Sequence, residues 1–86
     1  MSRYFRQPKV LDIIPDSRGQ PLWLRWPATA GRERVTVCNA WRMEGAWWQG
    51  QTAGRAYYTL ITASRAALVV FHDEADGRWY LEKVID

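Results

Sequence analysis

Nucleophilic, acid–base and metal chemistry each require particular side chains, and this 86-residue sequence holds one cysteine and one histidine. A Ser-His-Asp or Cys-His constellation would have to be built on His72 and Cys38. His72 ends the apolar run Leu68–His72 just before a turn, which suits a half-buried structural imidazole better than a general base. Cys38 lies in the alternating segment Arg34–Arg42, where packing is its expected role. Zinc needs about four Cys or His ligands, more than this chain can supply. Asp73, Glu74 and Asp76 cluster in a tight turn, without the loop length or ligand count of a dedicated calcium site. No phosphate-cradling glycine pattern is present. The expectation is a non-enzymatic protein with no catalytic residues, no metal and no other cofactor.

What remains is an excess of arginine and aromatic side chains. Of twelve basic residues ten are Arg, and the chain carries six Trp, four Tyr and two Phe. Arg forks onto phosphates and stacks on aromatic faces, and bases stack on exposed aromatics at roughly 1–3 kcal/mol each. The formal charge of +3 is unevenly spread. Residues 1–65 hold ten basic and four acidic residues, whereas 66–86 hold two basic and five acidic. No contiguous basic run exists, and polar strand exteriors would carry Arg in any case.

The elements that position these residues read as strands. Lys9–Ile14, Pro21–Trp26, Arg34–Arg42, Arg55–Ser64, Leu68–His72 and Arg78–Ile85 are rich in alternating or β-branched residues. Turn signals separate them, including Pro15–Gly19 and Asp73–Gly77. Thr62–Leu68 is the only helical candidate, and a turn between two strands fits it better. About six strands in one small domain predict an all-β fold, a small antiparallel barrel or sandwich over residues 9–86. Residues 1–8 are expected to be a flexible segment. No apolar run spans a membrane, and no apolar segment follows the charged N-terminus, so a cytoplasmic protein is expected.

Three aromatic doublets, Trp47-Trp48, Tyr57-Tyr58 and Trp79-Tyr80, would send one member inward and one outward on a strand. The outward members need a cover. The N-terminal Tyr4-Phe5 segment, a partner protein, a second copy of the chain or stacked bases would each serve, and half-exposed Tyr is also ordinary. Candidate contacts to nucleic acid or a partner are Trp23, Arg25, Arg42, Trp48, Arg55 and Tyr57.

The pattern Glu44-Gly45-x-Trp47-Trp48-x-Gly50, Arg55-x-Tyr57-Tyr58 and Phe71-x-Asp73-x-x-x-Gly77-x-Trp79-Tyr80-Leu81, ending Val84-x-Asp86, resembles a small uncharacterised bacterial domain. Gly19-x-Pro21, Trp26 and Trp41-Arg42 fit the same pattern. That family occurs alone or beside the ImuB-type Y-family polymerase-like protein of the bacterial mutagenesis cassette. The resemblance implies an accessory role in DNA repair and translesion synthesis, through single-stranded DNA or a polymerase-like mutagenesis protein, and no catalytic residue. Thr59 and His72 stand where the family often carries Arg, which removes positive charge. The alternative expectation is a protein–protein interaction or self-association module, a homo-oligomer included, using the same aromatic surface.

Overall fold

The computed structural model describes residues 2–25, 31–43 and 54–85, with side chains from residue 9 onward. Six strands follow one another: β1 (Ser2–Pro15), β2 (Pro21–Arg25), β3 (Arg32–Met43), β4 (Arg55–Thr62), β5 (Ala67–Asp73) and β6 (Arg78–Ile85). Each pairs antiparallel with the next, and β1 also pairs with β6, so the sheet closes into a barrel. The all-β expectation is met, and the barrel alternative is the one adopted. Thr62–Leu68 is indeed a turn, since β4 stops at Thr62 and β5 begins at Ala67.

Alternation along the strands builds the interior. Leu11, Ile13, Leu24, Val35, Leu60, Leu68, Val70, Trp79 and Leu81 form one buried cluster, with Val37, Tyr58, Ala66 and Val84 packed against it. Tyr58 and Trp79 are the inward members of their doublets, 5.7 Å apart by ring centroid. Tyr57 and Tyr80 point outward. His72 lies against Trp79 at 4.7 Å, in keeping with a half-buried structural imidazole.

One alternation is corrected. Simple period-two reading of Arg34–Arg42 groups Val35, Val37, Asn39 and Trp41 on a single face. A β-bulge between Val37 and Asn39 breaks that pattern: Val37 pairs with Leu60 and Asn39 with Thr59, leaving Cys38 without an opposite number. Val35 and Val37 therefore face the core, while Trp41 faces outward. The same bulge leaves Cys38 exposed rather than packed.

The turns follow their side-chain chemistry. Asp16 accepts hydrogen bonds from the Arg18 and Gln20 amides at 2.8 and 3.0 Å. Gly77 closes the β5–β6 turn at φ +73°, a conformation that disfavours side-chain-bearing residues. Because the strands alternate in direction, the β1–β2 and β5–β6 turns share one end of the barrel. The β4–β5 turn and the start of β3 share the other.

Leu60 is fully buried between β3 and β5. Leu60→Ala is expected to lower stability by about 3 kcal/mol, read as a reduced urea midpoint at unchanged slope. Val10→Ala, on the exposed outer surface of β1, is expected to stay within about 0.5 kcal/mol of the parent.

Candidate nucleic-acid interface

The six candidate residues do not form one set. Trp48 lies outside the described residues. Trp23 and Arg25 sit on β2; Arg42 sits on β3, and Arg55 and Tyr57 on β4. In a closed six-stranded barrel β2 and β5 lie three strands apart in either direction, so the outer surfaces around Trp23 and around Phe71 occupy opposite walls.

On the β2 wall, Leu24 turns into the core, which sends Trp23 and Arg25 outward. Trp23 stands opposite Ile14 of β1 and Arg34 of β3; Arg25 stands opposite Asp12 and Arg32. The Arg32 guanidinium carbon lies 4.6 Å from the Trp23 ring centroid, and that of Arg34 lies 5.8 Å away. Arg25 Nε is 3.2 Å from Asp12 Oδ2 in an exposed ion pair. Among the described residues neither Arg32 nor Arg34 meets a carboxylate. Arg25 and Arg32, like charges directly across the strand pair, disfavour the bare fold slightly. Arg32 and Arg34 were missed as site residues because only the β2–β3 register brings them to Trp23.

Centred on β5, an aromatic row crosses four strands, from the far end of β3 to β6. Trp41 stacks on Tyr57 at 5.5 Å and 9° between planes, Tyr57 meets Phe71 at 5.1 Å, and Phe71 stacks on Tyr80 at 5.1 Å. Each of these pairs is also a cross-strand register pair. Although outward, the middle of the row is covered: Phe71 is 2% exposed and Tyr57 6%, while Trp41 is 38% exposed. Tyr57 therefore presents little surface on which a base could stack.

The guanidiniums beside this row are already matched to the acidic turn. Arg42 makes two hydrogen bonds to the Glu74 carboxylate, Nη2 to Oε1 at 2.5 Å. Gly54 fits against this pair because it lacks a Cβ, which would come within 2.9 Å of Arg42 Nη2; its carbonyl accepts the Glu74 amide at 3.1 Å. Arg55 lies over Phe71 at 4.6 Å, donates to the Tyr57 hydroxyl at 3.5 Å and faces Asp73 at 3.6 Å. The hydrogen bond to Tyr57 leads in raising the Arg55 pKa, opposed by burial and aided by Asp73. The Tyr80 hydroxyl donates to Asp76 Oδ2. Asp73, Glu74 and Asp76 are thus each engaged by a neighbour, and the described residues contain no group of acidic, His or Cys side chains suited to a metal.

No protein-family model, curated protein or solved structure matches the chain. No helix among the described residues is long and apolar enough to cross a membrane.

The acidic turn makes the fold sensitive to acid. The hydrogen bond from Arg42 holds the Glu74 carboxyl below its ordinary range, and that from Tyr80 does the same for Asp76. A depressed carboxyl pKa stabilises the fold above the unfolded value and loses that contribution as pH falls through the folded one. The urea midpoint is therefore expected to fall below about pH 4.5. The double variant Glu74→Gln/Asp76→Asn is expected to show a shallower fall across the same window.

Proposed function

We propose that this barrel is a non-enzymatic cytoplasmic module that binds single-stranded nucleic acid on its β2–β3 wall. Trp23 is the stacking platform, and Arg25, Arg32 and Arg34 contact phosphates. The observation that carries the reading is the placement of two guanidiniums over one outward indole, with a third, Arg25, two residues along the same strand face, opposite Arg32 and paired with Asp12. Like charges across a strand pair cost stability in the free fold, and an anion between them reverses the sign of that interaction. A single strand is favoured over a duplex because only unpaired bases offer a face to an indole. Arg42, Arg55 and Tyr57 play structural roles in this reading, since their charge and surface are already occupied by the acidic turn and by neighbouring rings. The motif resemblance supplies the setting: DNA-damage tolerance, beside a polymerase-like mutagenesis protein.

A second reading is favoured by one observation. Val10, Trp41 and Met43 are exposed large apolar side chains on or beside the aromatic row. They suit a protein-interaction or self-association surface, which would leave the β2–β3 wall free.

Anisotropy titration of a labelled oligothymidylate over a salt series tests the first reading. Three phosphate contacts predict log K falling with log salt at a slope near −2, taking about −0.7 per contact on single strands. Trp23→Ala is expected to weaken binding about tenfold at unchanged slope, and Arg32→Ala to reduce the slope. No binding at low salt, together with a dimer on gel filtration, would favour the second reading.

A further inference from the structure

Arg65 is the one described residue other than glycine with a positive φ, +68° in the β4–β5 turn. A side chain in this left-handed region is strained, and it persists only where the surroundings over-determine the backbone. Here they do. The Thr62 amide donates to the Ala66 carbonyl at 2.9 Å, and the Arg65 amide donates to the Thr62 carbonyl at 2.9 Å. Thr62 is buried, and its hydroxyl oxygen accepts the Ala66 amide at 3.0 Å while meeting Ser64 Oγ at 3.0 Å.

The turn is also tied to β3 at the residues beside Trp23. The Ala63 amide donates to the Arg34 carbonyl at 3.0 Å. Ser64 gives both its amide and its hydroxyl to Glu33 Oε1, at 3.1 and 2.9 Å. Glu33 lies between Arg32 and Arg34 in the chain with its side chain on the other face of β3, so its carboxylate ties the turn that carries Arg65 to the start of the strand that carries them. Arg65 is itself exposed, and among the described residues it meets no carboxylate. Glycine would be the low-strain choice at this φ. An arginine there sets backbone comfort against a charge on the turn that is bonded to β3 at Arg34.

We propose that Arg65 is a binding residue: a phosphate contact that continues the Arg32–Arg34 track past Trp23 onto the β4–β5 turn. The inference rests on the reading of the β2–β3 wall as a single-strand site, and it adds the direction in which the strand leaves Trp23. Arg65→Gly relieves the strained φ while removing the charge, so stability and binding move apart. Arg65→Gln keeps the strain and removes the charge alone.

The test compares the parent, Arg65→Gly, Arg65→Gln and Trp23→Ala by thermal melting and by oligothymidylate titration over a salt series. The expected result is a melting temperature for Arg65→Gly at or above the parent's. A fourth phosphate contact takes the parent's slope to about −2.8, and both Arg65 variants should bind about threefold or more weakly with the slope back near −2. Parent-like affinity and slope in both Arg65 variants, with Trp23→Ala weakened, overturns the role of Arg65 and leaves the β2–β3 site standing. Absence of salt-dependent binding by the parent overturns the site and the role of Arg65 together.

Discussion

Closure of the sheet is the constraint on which the rest of the molecule depends. Long β1 pairs with β2 along its second half and with β6 along its first and middle parts, and so joins the two ends of the strand order into a barrel. Each strand has one inward and one outward face, and the outward side chains are the ones the barrel presents. The interior is filled by aliphatic residues with Trp79 among them. An 86-residue chain has little core to spare. The aromatic row across β3, β4, β5 and β6 supplies a second, outer apolar layer, with Tyr57, Val69 and Phe71 buried in it.

Closure also separates the charges along the barrel. The end with the β1–β2 and β5–β6 turns carries Asp16, Asp73, Glu74 and Asp76, and there Arg42 and Arg55 are matched by carboxylates. The β3 start and the β4–β5 turn carry Arg32, Arg34 and Arg65, with Arg25 beside them on β2, and only Arg25 has an ion pair among the described residues. Exposed pairs of this kind add little stability each. Their consequence is electrostatic placement: the acidic turn pairs with Arg42 and Arg55, while Arg32, Arg34 and Arg65 meet no carboxylate among the described residues.

Much of the architecture was legible in the sequence because period-two alternation and turn chemistry are local signals. The Asp16 and Gly77 turns, the six strands, and the placing of Trp23 and Arg25 on the face opposite Leu24 all follow from neighbours within a few residues. The bulge at Cys38 was not legible, since one extra residue in β3 is defined only against Thr59 and Leu60 of β4. It reversed the facing of Trp41 relative to Val35 and exposed the thiol. The grouping of the candidate residues failed for a related reason. Arg55 and Tyr57 look like Trp23 and Arg25 in one dimension, and only strand order and register set them two strands apart, at the other end of β3. Likewise the excess of acid after residue 65 is visible in the sequence, but which arginines it matches is a matter of register.

The central claim is that the guanidiniums around Trp23, rather than the larger aromatic row, form the binding face. Backbone and indole NMR shifts followed during titration with oligothymidylate test it most directly. The account predicts saturating shifts at Trp23, Arg25, Arg32, Arg34 and Arg65, with Tyr57, Phe71 and Tyr80 unmoved. Shifts concentrated on Trp41, Tyr57 and Tyr80, with Trp23 unmoved, would contradict it.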